Sequence, residues 1–395
     1  MSASPSRLRH YLTKRLRLRG YLRRPGDGRQ RPTLPASTLL WALLISLLLR
    51  WYSFHGVEGL VRSRGRRALR IPRRFGDDSL AYFTARLDPE PTRQALASVV
   101  RQAKRNKAFD KHCFIGLALD GTGAGWRRQR RCSLCRPHSQ DGQTHGYLHQ
   151  LVMLSVTGVG LSLPVDIEPY GPDDSEYAAG QRLLQRAVGR LGRRFADYLV
   201  VDGAFATAPF LHAATQLGLG VVARLKANLP TLLAEAQQRL GYHPAPHQFF
   251  DGQDRVELWD RDDFQPWESL DWPAVRVIFY RQHKPDGSCV EAYWLSNFSH
   301  PRVPSRLLYQ MAKSRWEIEN QGFNDAKTRY GLEHIRHHDA NALLVCWLLT
   351  AMALTIERLY RLRYLRRGNH RPRTAAALHR ELWLSLAVPR RIDSS

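Results

Sequence analysis

Residues 198–225 read YLVVDGAFATAPFLHAATQLGLGVVARL. The opening apolar run, YLVV, is too short for a helix and ends in Asp202-Gly203. An amphipathic segment follows over residues 208–217, and a second apolar run closes the unit over residues 220–225. Strand, helix and strand with short connections predict a parallel pair in an α/β sheet, since parallel strands need a crossover and a helix usually supplies it.

Working outward, residues 112–120 (HCFIGLALD) form another short apolar run, which ends in Asp120 and is followed by Gly-Thr-Gly. Its length and the glycines predict a buried strand closing at the Asp. Residues 148–157 and 158–167 read as two further strands with a Gly-containing turn between them, and residues 175–192 as an amphipathic helix. Downstream, residues 256–259, 275–281 and 290–297 look like antiparallel strands between Asp, Gly and Pro turns, in a stretch holding Trp259, Trp267, Trp272 and Trp294. Helix returns over residues 307–330 and 340–364. Ahead of the sheet, residues 36–110 read as helical, starting with the run LLWALLISLLL at 39–49, which Ser37 or Thr38 could cap.

The chain of 395 residues carries 60 Lys+Arg against 35 Asp+Glu, a net charge of +25, and is 43 % apolar. That composition excludes disorder over most of its length and points to nucleic acid, an anionic membrane or an acidic protein as partner. Residues 1–34 hold ten Lys+Arg and one acid, and residues 358–391 ten Arg and one acid, so the two ends supply 18 of the 25 charges. A third cluster comprises Arg127, Arg128, Arg130, Arg131 and Arg136. The 39–49 run is about half the ~20 residues a spanning helix needs, and no signal peptide is evident. A cytoplasmic protein with no membrane partner is therefore expected. The five cysteines fit a reducing compartment, with Cys113, Cys289 and Cys346 expected in the core.

Three acids stand out. Asp120 and Asp202 end predicted strands, where carboxylates project into one crevice, and Glu319 lies on a predicted long helix. Such a set suits Mg²⁺ or Mn²⁺, which take carboxylate oxygens and fill their shell with substrate phosphate. At ~100° per residue, Arg315 and Lys327 would flank Glu319 on one broad helix face, and Glu317 would point away. Taken alone, an Asp-Gly after a strand is usually a turn, and the helix also reads as a solvated one with ordinary i,i+4 pairs.

DGTG at Asp120, VDG at Asp202, RWEIENQGFNDAK at 315–327 and GLEH at 331–334 together resemble bacterial insertion-sequence transposases of the DDE type, close to the IS-four group. The resemblance covers roughly residues 75–360. It implies an RNase-H-like α/β core, a mixed sheet flanked by helices, with a β-rich insertion and a helical N-terminal domain. It also implies a metal-binding catalytic triad of Asp120, Asp202 and Glu319 with two Mg²⁺ (or Mn²⁺) ions. Arg315 and Lys327 would contact phosphates of the transposon end, and Trp259 or Trp294 would receive a flipped base unless each is a core residue. The family's usual Tyr position holds Ala312, and the Lys stands one place late, with Ala326 at the expected position.

Beside the first Asp, residues 132–149 read CSLCRPHSQDGQTHGYLH. Cys132, Cys135, His145 and His149 could close a tetrahedral structural Zn²⁺ site. Reduced cysteines among surface histidines, or a redox pair, are the alternatives.

The expected organisation is a basic arm (1–35), a helical DNA-binding region (36–110), a catalytic core (111–229 and 301–365), a β-rich insertion (230–300) and a basic tail (366–395). The expected function is a transposase that binds terminal inverted repeats of double-stranded DNA, cleaves their ends and joins them to target DNA, acting as a homodimer in the synaptic complex. A non-catalytic DNA-binding protein and an RNase-H-like nuclease without strand transfer are the rivals.

Overall fold

The computed structural model describes residues 5–22, 26–362 and 374–387. Ten strands form one sheet: β1 (Gly116–Arg127), β2 (Cys135–Gln140), β3 (Gln143–Thr157), β4 (Leu163–Tyr170), β5 (Tyr198–Val201), β6 (Gly220–Leu225), β7 (His247–Asp251), β8 (Asp254–Phe264), β9 (Val275–His283) and β10 (Cys289–Ser296). Their order is β2-β3-β1-β5-β6-β10-β9-β8-β7, with β4 beside β3. Among the described strands, only β1, β5 and β6 run parallel to one another. The run β4-β3-β1-β5-β6 is the RNase-H-like arrangement that the resemblance implied. The strands of residues 230–300 continue the same sheet, because β10 pairs antiparallel with β6.

The strand predicted to stop at Asp120 runs on to Arg127. β3, 15 residues long, pairs with β1 from Gly116 to Arg127 and keeps its backbone satisfied on one edge. On the other edge β5 stops at Val201, opposite Leu119. The Gly-Thr-Gly that resembled a turn is therefore extended strand with one open edge, and the site lies at that opening.

Fourteen α-helices among the described residues surround this sheet or precede it. The first stretch comprises α1 (Pro5–His10), which passes into a π-helical turn (Tyr11–Arg15), and α2 (Leu18–Tyr21). Here Leu8, Leu12, Leu16 and Leu18 are buried, and the Tyr11 ring meets Tyr360 at 5.2 Å between centroids. The described part of residues 1–35 is thus packed on the core by its leucines. Next come α3 (Ala36–Leu48), α4 (Phe54–Arg62), α5 (Gly65–Ala68), α6 (Asp77–Arg86) and α7 (Pro89–Arg105). Pro35 occupies the N-cap of α3, so Ser37 and Thr38 lie inside the helix and do not cap it.

α8 (Glu176–Leu191) is capped by the Ser175 hydroxyl, which accepts from the Ala178 amide, and α9 (Ala208–Gln216) makes the β5–β6 crossover. α10 (Pro230–Arg239) leads to β7. The C-terminal part holds α11 (Ser305–Lys313), α12 (Asn324–Tyr330), α13 (Ala340–Tyr360) and α14 (Ala375–Ala387). α13 is apolar and long enough by length to cross a bilayer, yet it is a core helix, 94 % buried in its most apolar window and packed on α3, α6, α7 and β4. Each fully buried Leu, Val or Met there contributes about 1.5–3 kcal/mol. Of the three cysteines expected in the core, only Cys346 is buried; Cys113 and Cys289 are exposed. Residues 366–373 and 388–395 of the basic tail lie outside the described residues.

Candidate active site

Parallel register places the two aspartates side by side. Leu119 pairs with Val201, so Asp120 and Asp202 are the next residues along neighbouring strands, whose spacing is about 4.8 Å. Directly after Asp202 the chain leaves the sheet in a 3₁₀ turn, Gly203–Phe205. The third acid arrives from the C-terminal helices. Nη1 of Arg315 lies 3.0 Å from Asp120 Oδ2 and 2.7 Å from Glu319 Oε1. Those two carboxylate oxygens are therefore no farther apart than the sum of the two distances. The structure brings Asp120, Asp202 and Glu319 to one end of the parallel strands, as the sequence reading expected.

The continuous helix expected over residues 307–330 is interrupted, and the interruption aims Glu319. α11 ends at Lys313, and the Ser314 carbonyl is taken by the Thr157 hydroxyl at 2.5 Å. Tyr198 and Ser314 share a further hydroxyl bond of 3.0 Å. From Ile318 to Phe323 the chain is π-helical, a wider turn that recurs at functional sites. Arg358 of α13 donates to the Gln321 carbonyl of that turn and to the Ser162 carbonyl, and pairs with Asp325 at 2.8 Å. Glu317 turns inward instead, where its Oε2 accepts from the Gly158 amide at 3.1 Å and sits 2.9 Å from Thr157 Oγ1. Of the two glutamates, Glu319 faces the aspartates.

Lys327 departs from the helical-wheel expectation. The π turn changes the phase between residues 319 and 327, and Lys327 pairs with Glu333 at 3.2 Å rather than flanking Glu319. The other oxygen of Glu333 accepts from the Gly125 amide at 2.8 Å, which ties the GLEH segment to β1. Arg315 is buried among the carboxylates, so its first role in this structure is to balance their charge.

Two residues of the site had escaped the sequence reading. Lys226, just past β6, donates to Asp202 Oδ2 at 2.8 Å. Glu176, the first residue of α8, presses its carboxyl against β1 at Gly121: a Cβ there would lie 2.5 Å from it. A glycine following a site Asp was the available signal, because only a residue without a side chain admits that carboxyl.

The charges respond to this crowding. Burial raises the Asp120 carboxyl to about 6, against the lowering pull of Arg315. Asp202 is also pushed upward by burial, but the Lys226 hydrogen bond and charge outweigh this and hold it below the ordinary carboxylate value. Burial raises Glu176, and the Asp202 charge adds to it. The site is thus over-supplied with carboxylate, and its donors are oxygens suited to hard divalent cations.

Neither tryptophan offers a free face to a base. Trp259 is 6 % exposed, stacked on Phe279 with its indole nitrogen donating to the His243 carbonyl. Trp294 is 1 % exposed, edge-on to Trp316 and covered by Arg224. Both are core residues. Exposed aromatic surface beside the arginine cluster is provided instead by Trp126 on β1.

At the far end of β1, Cys132, Cys135 and His149 meet as expected, and His145 does not join them. On a strand, residues 145 and 149 are about 13 Å apart at ~3.3 Å per residue, too far to share one ion. The fourth group is His338, from the segment between α12 and α13.

A family model described as the transposase DDE domain matches residues 111–356, spanning all three acids and most of α13. No curated protein matches. Among solved structures, the piggyBac transposase synaptic complex with hairpin DNA is similar at 11 % identity with a TM-score of 0.48, covering 97 % of this chain and 80 % of that one.

Proposed function

The chain belongs to the DDE-domain transposases, enzymes that act on DNA with divalent metal ions, and from that premise we propose that Asp120, Asp202 and Glu319 are its metal-binding triad. The observation that carries the reading is the shared Arg315 contact joining Asp120 to Glu319, with Asp202 at the next register position. When bound, two Mg²⁺ (or Mn²⁺) ions supply activation of a water or 3′-hydroxyl and stabilisation of the leaving oxygen in an in-line displacement.

The residues divide the remaining work. Asp120 and Asp202 present oxygens from adjacent rigid strands, which limits the freedom lost on forming the site. Glu319 closes the set from a helix whose position Arg358 holds. Arg315 offsets the charge of Asp120 and Glu319 and, with ions bound there, would be placed to contact a scissile phosphate. Lys226 does the same beside Asp202. Glu176 adds negative potential behind Asp120 and favours cation binding.

The DNA would be held by basic surface outside the carboxylate centre. Lys14, Arg17, Arg19 and Arg70 line one open concavity of the N-terminal helices. Arg127, Arg128, Arg130 and Arg131 are exposed next to Trp126. Arg prevails at both surfaces, and its planar fork suits phosphate. The terminal inverted repeats and the target would be engaged by a homodimer in the cytoplasm, at the nucleoid, in the manner of the IS-four-like group.

The test is a strand-transfer assay on a labelled terminal repeat with Mg²⁺. Cleavage followed by joining is the expected result. Cleavage alone would make the protein a nuclease, and binding without cleavage would make it a non-catalytic DNA-binding protein.

A further inference from the structure

Four residues along β1 past Asp120, at the level of Ala124, Cys132, Cys135, His149 and His338 each offer one ligand atom, and the four atoms lie within 4.8 Å of one another. The edges of this group can be compared with a metal polyhedron. Zinc bonds of about 2.3 Å to sulfur and about 2.0–2.1 Å to nitrogen at tetrahedral angles require S···S near ~3.7 Å and S···N near ~3.5 Å. The observed Cys132–Cys135 Sγ separation is 3.6 Å, and His149 Nε2 lies 3.2 and 3.4 Å from the two sulfurs. Three edges of a tetrahedron are therefore in place without an ion.

The surroundings are those of a closed structural site. Cys135 and His149 are buried, and Cys132 and His338 are partly buried. Nδ1 of His338 is shut off from solvent and has no hydrogen-bond partner. The Arg131 amide points at Cys135 Sγ at 3.5 Å, the kind of bond that supports a thiolate. Sheet register brings the ligands together: Cys135 on β2 pairs with His149 on β3, which in turn pairs with Ala124 on β1. Two thiolates and two imidazoles, with no open position, form the donor set of structural zinc.

We propose that Cys132, Cys135, His149 and His338 bind one structural Zn²⁺ ion that clips the β2–β3 hairpin to the segment joining α12 and α13. Three ligands from the hairpin region and one from almost 190 residues further along make the ion a cross-link. It fixes the segment carrying Glu333, which holds the Gly125 amide and Lys327. It also anchors residues 127–131, the arginine stretch leading into Cys132. His338 replaces His145 as the fourth ligand because it arrives from across the fold, where strand spacing cannot exclude it.

The experiment is metal analysis of the full chain purified without added zinc, followed by cobalt substitution. The expected result is one zinc per chain. After exchange, Co²⁺ should give thiolate charge-transfer and tetrahedral ligand-field bands. His145→Ala should keep both signals. His338→Ala should lower zinc affinity at least tenfold, and Cys132→Ser, which leaves Cys135 as the one thiolate, should weaken the thiolate band. Absence of zinc together with absence of cobalt bands from the unaltered chain overturns the proposal, and so does a Cys132–Cys135 disulfide in its place. Equal zinc affinity in His338→Ala and the unaltered chain overturns the ligand set. These readouts are independent of DNA cleavage, so failure of the zinc site and failure of the transposase reading are separately visible.

Discussion

Arg315 and Asp120 are 195 residues apart in sequence, and Nη1 of the first lies 3.0 Å from Oδ2 of the second. The same nitrogen holds Glu319. One guanidinium thus stands among the acids that cations are to occupy and offsets part of their charge. This economy has consequences that can be measured.

Asp120→Asn separates stability from catalysis. The folded carboxyl has its proton affinity raised to about 6 from 3.8. Between those values the folded state holds a proton that the unfolded chain has released. The ionised carboxyl therefore costs stability at pH 8, and that cost fades as pH falls through 6 toward 4. The Asn variant should melt higher than the parent at pH 8 in the absence of metal, with the difference vanishing near pH 4. Its Mg²⁺-dependent cleavage should be lost while DNA affinity stays within about twofold. Thermal melts at the two pH values and a cleavage assay check both parts.

Glu319→Gln and Glu317→Ala should fail in opposite ways. The first removes a half-exposed site carboxylate and should abolish cleavage with an unchanged melting temperature. The second leaves the Gly158 amide without its buried acceptor and should destabilise by about 1–3 kcal/mol. Denaturant titration and single-turnover cleavage of both proteins distinguish them, and retained cleavage in Glu319→Gln would remove that residue from the triad.

Arg358→Met tests the support beneath Glu319. The arginine is buried and serves two carbonyls as well as Asp325. Its loss leaves those groups unpaired, and about 3–5 kcal/mol of stability should go with it. Below the melting temperature, metal affinity should also fall, because the π turn loses the donor to Gln321. A variant that is destabilised yet binds Mn²⁺ as the parent does would show that the turn holds without it.

His379 should impose a pH dependence that has nothing to do with catalysis. Its ring nitrogens are buried without hydrogen-bond partners, and Arg50, Arg329 and Arg361 face it. Burial first, then these cations, lower its pKa to about 3. Above pH 6.5 the imidazole is neutral in both states. As pH falls below that value only the unfolded chain takes the proton, so stability declines by up to about 1.4 kcal/mol per pH unit until about pH 3. His379→Phe should flatten this decline between pH 6.5 and 4.5, as read by chemical denaturation.

Basic surface should be visible in the salt dependence of binding. Arg17→Ala and Arg128→Ala should each weaken DNA affinity evenly across sequences and reduce the logarithmic salt slope by about 1. Fluorescence anisotropy from low to moderate salt measures it, and an unchanged slope in either variant would take that surface out of the DNA interface.

Much of this protein was legible in the chain itself. The parallel unit at 198–225, the amphipathic helix over 175–192, the β-strands around the tryptophans and the three acids follow from local hydrophobic period and turn chemistry, which depend only on neighbours in sequence. The excess of positive charge likewise made nucleic acid one of three candidate partners. Tertiary structure decided what neighbours could not. The long partner β3 turned the Gly-Thr-Gly beside Asp120 into strand, because backbone groups satisfied by a distant strand have no need of a turn. Thr157 and Arg358, distant in sequence from the helix, broke its regular turns and so set the phase that aims Glu319 and sends Lys327 to Glu333. Strand spacing ruled out His145, and a loop from across the fold supplied His338. In each case the deciding contact joins residues far apart in the chain, and no local periodicity records it.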